Sequence, residues 1–539
     1  MASPSNQVSL AENHLPCYIS SIPPEILSQI MLMCDRDLTI WDETRYLLPA
    51  RHNIPVRLTQ ICSSWRMVAL DTPELWSSVM LVLAQNTSAI IKLADYWLAK
   101  GQRGRLGLEI DVGVTDERRI DLEPIGRLLT AWASDWRTLT IVNCSDSMAE
   151  YVIANMAQNP HPSLEEFELH AFSTVWHTRF EALAALPRLR TVTFRTWRSP
   201  STHHNLSLLF LPWSQLESVS ISAPVSGQKC LDVLRNCPKL TTLELYVMSD
   251  VPTPEFRPPV VLSKLSRLRV ATAVTVWDDN DIEFFLGVLH LPMLVDFELH
   301  LIGRHSWNPL VSSFWERHAT QICRLELSNL YFPADARLLF LTMPNLTSLK
   351  LSFCKIRLTA LDFDALRVEQ LLPALTHLDV TVGHGRGIQW IDSVRSAIAL
   401  LEARTTVTTD VAQLAQVRFA DWTNWDEVDR DLSKADPVAM AAEFQRLRAL
   451  EAQGMDVHWM VGGHDVLADV LASREASICY SSIHSRSIRS ASPLRPHPPP
   501  SPEHYSDSDT TPAPSPITSV AKAKRNPLRR LWQRIKIFG

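Results

Sequence analysis

The residues with most chemical character recur at fixed places along the chain. Glu165, Glu166, Glu168 and His170 stand together, followed by Arg190 and Arg195, Glu244 and Tyr246, and Arg267 and Arg269. Asp296, Glu298 and His300, then Arg324 and Glu326, continue the series. At two-residue spacing such side chains share one face of a strand. Both signs mix along the series, which suits gripping another polypeptide; a phosphate backbone would call for a basic stripe. Tryptophans follow several of these segments (Trp176, Trp197, Trp277 and Trp307), with Arg198, Asp278, Asp279, Arg304 and His305 beside them. Trp and Arg anchors are where protein interfaces concentrate their energy. The candidate target-contact set is therefore Glu166, Glu168, Arg195, Trp197, Arg269, Trp277, Glu298 and Trp307.

Catalysis has less footing. The chain contains no Gly-x-Ser-x-Gly, no Gly-x-x-x-x-Gly-Lys-Ser/Thr and no His-Glu-x-x-His. Gly383-His384-Gly385-Arg386-Gly387 resembles a phosphate loop in composition only, since it lacks the fingerprint spacing and reads better as a connection between repeats. The 9 cysteines are scattered with no Cys-x-x-Cys, and the 18 histidines show no ligand spacing. No catalytic residue, cofactor or metal is expected.

The elements that must position the charged series are legible as a repeat. L-x-x-L-x-L returns as WRTLTI from Trp136, LEEFEL from Leu164, LRTVTF from Leu189, LESVSI from Leu216 and LTTLEL from Leu240. It continues as LSRLRV from Leu265, LVDFEL from Leu294, ICRLEL from Ile322, LTSLKL from Leu346 and LTHLDV from Leu375, and LAQVRF from Leu414 is a further candidate. The steps from Trp136 to Leu375 run between 24 and 29 residues, the period of leucine-rich repeats. The L-x-L ending is strand spacing with one face buried. FEALAALP, CLDVLRNCP and IEFFLGVLHLP between copies carry helical spacing and then a proline that stops the helix. One such unit cannot bury its face alone, so stacking is required. The x positions then point to the open, concave side. The copies lack a regular Asn or Cys at the usual turn position. IQWIDSVRSAIALLEA and VAMAAEFQRLRALEAQG, the latter ending at Gly454, read as helices, and DVHWMV as a last strand.

Ahead of the repeats lies IPPEILSQIMLM from Ile22, then VRLTQICSSWRMVALDTPELWSSV from Val56. Pro23 and Pro24 suit a helix start and Glu25 its positive end. Ile26, Leu27, Ile30, Met31 and Cys34 make one apolar stripe, and Leu58, Ile61, Cys62, Trp65, Val68 and Ala69 make another on a second helix. So few short helices cannot bury that much apolar surface among themselves, so part of it must face a partner or the next domain. The order Pro-Glu-Ile-Leu, Cys-x-x-Trp-Arg and Thr-Pro-x-Leu-Trp resembles an F-box, the module that joins a substrate receptor to a cullin-type ubiquitin ligase through a Skp-family adaptor. The resemblance implies adaptor contacts by Ile22, Pro23, Pro24, Glu25, Ile26, Leu27, Ile30, Leu58, Ile61, Cys62 and Trp65. It departs from the family in an inserted loop at 35–54.

The whole chain carries −6. Lys522, Lys524, Arg525, Arg529, Arg530, Arg534 and Lys536 cluster at the C-terminus without an acid, leaving an acidic body ill suited to nucleic acid. Leu528, Leu531, Trp532 and Ile535 give that stretch an amphipathic face. It suits an anionic membrane surface or a partner groove, and equally a nuclear-import cluster or an inert basic tail. The cysteine pattern points to reduced, mostly buried thiols in the cytosol or nucleus. No signal peptide or spanning segment is expected.

The expected class is α/β: a helical F-box-like module, a leucine-rich-repeat solenoid with parallel strands on the concave face and helices outside, and a disordered tail. The expected divisions are a disordered 1–18, the module at 19–80, a linker or N-terminal cap at 81–135, repeats at 136–380 and terminal repeats with a cap at 381–472. A Ser/Pro-rich tail at 473–520 and the basic 521–539 follow. The expected role is a non-catalytic receptor binding the Skp-type adaptor, through it a cullin, and a protein target. The alternative is a repeat scaffold with no ubiquitin-ligase role.

Overall fold

The computed structural model describes residues 22–36, 54–83, 87–112, 121–159, 161–171, 181–196, 210–248, 258–273, 279–305, 312–330, 336–352, 371–382, 390–405, 412, 414–421, 437–461 and 464–465. The expectations for 1–18, 473–520 and 521–539, most of the inserted loop, residues 383–387, and Trp176, Trp197, Trp277 and Trp307 lie outside the described residues. The chain divides into two units. The first is Met1–Trp307 with Val311–Gln321, and the second is Asn308–Leu310 with Ile322–Gly539.

The first unit opens with helices α1 (Pro24–Arg36), α2 (Ile54–Ile61) and α3 (Ser63–Leu70) and a 3-10 turn at Pro73–Trp76. Strands and helices then alternate. The strands are β1 (Ser78–Val82), β2 (Leu106–Asp111), β3 (Trp136–Cys144), β4 (Glu166–Ala171), β5 (Thr191–Thr196), β6 (Ser218–Ser226), β7 (Thr242–Met248), β8 (Val260–Val261), β9 (Arg267–Ala273), β10 (Leu289–His290) and β11 (Asp296–His305). The helices between them include α4 (Thr87–Leu98), α5 (Glu123–Ala131), α6 (Asp146–Gln158), α7 (Glu181–Ala184), α8 (Gly227–Leu234) and α9 (Asp279–Val288), and α10 (Ser313–His318) follows β11. Neighbouring strands follow chain order, β1-β2-β3-β4-β5-β6-β7-β9-β11, and their ladders are parallel. β8 and β10 form a separate small parallel pair. The sheet begins two strands before the first leucine motif: β1 straddles the end of the segment read as the module (19–80), and β2 lies in the segment read as a linker or cap (81–135).

The second unit repeats the plan with β12 (Arg324–Leu330), α11 (Ala336–Leu341), β13 (Ser348–Ser352), β14 (His377–Val382), a helix at Trp390–Thr405, β15 (Gln416–Asp421), a helix at Pro437–Ala452 and β16 (Asp456–Val461). Its ladders are parallel in chain order until β17 (His464–Asp465), which turns back antiparallel on β16. Gly454 has φ +91, a left-handed ending to the preceding helix that glycine adopts without a Cβ penalty. Together the units are α/β, with the parallel-strand and helix alternation of a leucine-rich-repeat coil.

Alternation in the sequence becomes layering in space. Leu139, Phe167, Val192, Val219, Leu243, Leu268 and Phe297 are register partners on successive strands, and all are buried. Leu325, Leu349, Leu378, Val417 and Val457 do the same in the second unit. Each buried side chain of this size stabilises by roughly 1.5–3 kcal/mol, which is why the leucine period sets the coil.

Backbone bonds register the coils where an asparagine would be usual. The Glu165 carbonyl accepts from the Arg190 and Thr191 amides at 2.8 and 3.0 Å, and the Thr347 carbonyl accepts from Thr376 and His377 at the same two distances. Hydroxyls reinforce these rungs: Thr241 donates to Glu217 O at 2.9 Å, Ser266 to Thr241 O at 3.2 Å, and Thr347 to Cys323 O at 2.9 Å. The proline turns entering each coil leave carbonyls to satisfy, and long side chains of the following coil do so. Gln215 Nε2 reaches the Leu186 and Leu189 carbonyls, Gln321 Nε2 reaches Leu291, and the buried Arg404 reaches Leu371 and Leu372. A buried carbonyl left bare costs about 1–3 kcal/mol.

Candidate functional site

In the N-terminal helices, Leu27, Met31, Leu58, Ala69, Leu75 and Trp76 form the buried core, with Ile22, Leu32, Val56, Trp65, Val68 and Trp97 packed around it. α1 starts at Pro24, and the Leu27 amide bonds Pro23 O at 2.9 Å. The single second helix expected from the sequence is two helices. Cys62 is extended (φ −157, ψ 175) and breaks the run between α2 and α3. That break splits the expected stripe: Leu58 and Ala69 face the core, while Ile61 and Cys62 are exposed. The Trp76 indole donates to Ala69 O at 2.8 Å and closes the module, and Arg66 Nε donates to Thr59 O at 2.8 Å to brace α2 on α3. The Trp65 indole N–H is enclosed with no hydrogen-bond partner among the described residues.

The residues tied to adaptor contact thus separate into two groups. Leu27 and Leu58 are buried in the module itself, and Ile22 and Trp65 are half-buried. Pro23, Pro24, Glu25, Ile26 (54% exposed), Ile30, Ile61 (57%) and Cys62 face outward. The outward set is larger than the sequence reading gave, for Met33 (66%), Met67 and Leu70 belong to it. The missed signal was simple: Ile26, Ile30 and Met33 follow i, i+4 and i+7, and Met67 and Leu70 follow i and i+3. Met31, placed in the same stripe as Ile26, is fully buried. Cys34 is exposed as well, against the expectation of mostly buried thiols, whereas Cys144, Cys230 and Cys237 are buried. Burial pushes the Cys237 thiol up to about 12.

On the sheet, the charged series falls into registered rows. In the first unit one row runs Glu109, Thr140, Glu168, Thr193, Ser220, Glu244, Arg269 and Glu298 on successive strands. Arg269 bridges two carboxylates, reaching Glu244 at 3.1 Å and Glu298 at 2.9 Å, and Ser220 donates to Glu244 at 2.8 Å. Glu168 bonds His170 Nε2 at 2.7 Å and lies 4.0 Å from Arg195. Burial opposes its charge, but the His170 bond and the fields of His170 and Arg195 prevail and hold its carboxyl below the usual range. Glu298 makes the equivalent contact with His300. Glu166, two residues earlier on the same strand, is exposed.

In the second unit the corresponding row reads Glu326, Lys350, Asp379, Arg418 and His458, with acid and base alternating as far as Arg418. Lys350 reaches Glu326 at 2.8 Å and Arg418 stands 4.0 Å from Asp379. Burial raises the Asp379 carboxyl, with Arg418 and Lys350 opposing. Lys350, Asp379 and Arg418 hold the same x positions as the residues singled out from the sequence. The structure therefore brings Glu168 with Arg195, and Arg269 with Glu298. Across β2–β7 acids predominate, with Thr and Ser hydroxyls between them.

None of the described helices is long and apolar enough to cross a membrane. No family model matches the chain, and no curated protein does. Among solved structures, the crystal structure of a Rad7 and Elc1 complex in yeast aligns over 61% of this chain and 91% of that chain, at 14% identity and a TM-score of 0.29.

Proposed function

We propose that this chain is the substrate-recognition subunit of a Skp-cullin-F-box type ubiquitin ligase. Its N-terminal helices bind a Skp-type adaptor, and through it a cullin, while the open sheet face holds a protein target. It needs no catalytic residue of its own. The observation that carries the reading is the split in α1: Leu27 and Met31 close a small core while Ile26, Ile30 and Met33 stand in water. A monomer gains nothing from that exposure, and contiguous exposed apolar residues mark an interaction face. The residues carrying it lie in the order of an F-box, which names the partner class.

The sheet face supplies the second half. Its acidic, hydroxyl-lined stretch over β2–β7 fits an extended, basic segment of a target, with specificity from placed charges more than from buried area. A cytosolic or nuclear setting accords with this assembly.

The test is co-purification of the full chain with a Skp-type adaptor. Ile26→Asp combined with Ile61→Asp is expected to abolish capture with thermal stability unchanged, because both side chains are exposed. No capture by the parent chain would overturn the reading and leave a repeat scaffold that binds partners without ubiquitin transfer.

A further inference from the structure

Exposed large apolar side chains are unevenly distributed. Among the described residues, Ile26, Ile30, Met33, Ile61, Met67, Leu70, Val82, Leu93 and Tyr96 crowd the first hundred positions, whereas Val261, Met293, Val295 and Leu341 are scattered over the rest. Leu93 and Tyr96 are not in the helical module. They lie on α4, the first helix of the coil.

α4 has two attachments. Ile91, Ala94 and Leu98 are buried beneath it, it packs on β1 and α5, and Asp95 accepts from the Trp132 indole of the next coil at 2.8 Å. Trp97 turns the other way, packs on the module's core and meets the Trp76 ring at 6.5 Å between centroids. Helical spacing sets Leu93 one turn from Trp97 on the same side, with Lys100 and Tyr96 next round the cylinder. Leu93 is 47% and Tyr96 60% exposed, and Lys100 Nζ sits 5.0 Å above the Tyr96 ring. An apolar strip thus leaves the module at Trp97 and continues onto the coil, bordered by Lys92 and Lys100.

We infer that the adaptor which docks on α1–α3 also covers Leu93 and Tyr96, so that α4 is a second part of one interface. This rests on the proposed receptor role. The occupant is fixed by continuity: the strip borders the module through Trp97 and shares its exposed apolar character. The matching patch on the adaptor is apolar with carboxylates at its edge, to meet Lys92 and Lys100. One consequence is mechanical. An adaptor held by both the module and α4 is fixed against the first coils and does not swing on the chain between α3 and β1.

The experiment measures binding of a purified Skp-type adaptor to the full chain by titration calorimetry. Leu93→Glu with Tyr96→Glu is expected to weaken binding roughly tenfold or more, as loss of an aromatic anchor does. Leu341→Glu, an exposed apolar site on α11, is expected to leave affinity unchanged, and all melting temperatures should match the parent. A photo-crosslinking residue at position 96 should capture the adaptor. Parent-like affinity of the α4 double variant, or no adduct from position 96, while Ile26→Asp abolishes binding, overturns the inference and leaves the receptor reading intact. Failure of the parent to bind overturns both.

Discussion

The helical module and the open sheet face treat their surfaces in opposite ways. The module spends its polar groups internally, Trp76 on Ala69 and Arg66 on Thr59, and leaves Ile26, Met33, Ile61 and Met67 in water. The sheet hides its apolar side chains in rows and leaves charge outside, with Arg269 stretched between Glu244 and Glu298 and Lys350 on Glu326. An apolar face gains on association through burial and is little affected by salt. A face of self-paired charges gains only where a target offers better partners, so it selects more than it attracts. Under the proposed receptor role, one chain would thereby carry a constant attachment and a discriminating one.

The sharpest way to break this comparison is at adjacent residues of α1. Leu27→Ala should destabilise the module by about 2–5 kcal/mol, as for a large-to-small core change, while Ile26→Ala should stay within about 0.5 kcal/mol. Urea unfolding followed by tryptophan fluorescence reads both. Equal effects would mean that α1 is turned differently and that the outward stripe is not a docking face.

Acid is the next lever, and it acts on the coils. His318 is buried against Phe314, with Gln321 bonded to its Nδ1 at 2.7 Å. Burial drives its pKa down to about 4, with a backbone bond at Leu289 opposing and Arg317 and His290 adding repulsion. His161, also buried, shifts down for the same first reason. The unfolded chain therefore takes the proton first. Stability is full above about pH 6.5, falls as acid is added and is lowest below about pH 4, a loss on the order of 3 kcal/mol for His318. His318→Phe should flatten the melting temperature across that window. An unchanged acid slope would show that the ring is not buried in its neutral form.

A smaller effect sharpens the account of coil register. Thr347→Val removes the hydroxyl bond to Cys323 O and should cost about 1 kcal/mol, with amide exchange rising at Thr376 and His377 before the rest of the coil. Uniform exchange would place register in the leucine rows alone. Smallest in stability, Arg269→Gln should change folding by less than about 1 kcal/mol because the bridges are only half-buried and solvent screens them. It takes the guanidinium away from Glu244 and Glu298, which keep Ser220 and His300 as neighbours, so binding of a lysine-rich peptide should tighten and become more salt-dependent. Unchanged peptide binding would remove this row from the target surface.

Much of this was legible in order along the chain. Each L-x-x-L-x-L copy lies on a strand because alternation under a stacking constraint has one solution, and Pro24 and Gly454 mark boundaries by backbone chemistry, whereas the break at Cys62 had no such signal. The face of each helical residue was less legible. Ile26 and Met31 read alike as apolar, yet only packing against Leu75 and Trp76 decides that one is exposed and the other fully buried.

By itself the sequence determined the coil: its period, its parallel strands, and a row of charges on one side, since these follow from local periodicity. Only the tertiary structure decided which charges satisfy each other, which apolar side chains remain outside, and that β1, β2 and α4 join the coil ahead of the first motif. Those outcomes depend on residues far apart in the chain, as with Arg269 between Glu244 and Glu298, or Trp97 against Trp76. The sequence lists such partners, and the fold pairs them.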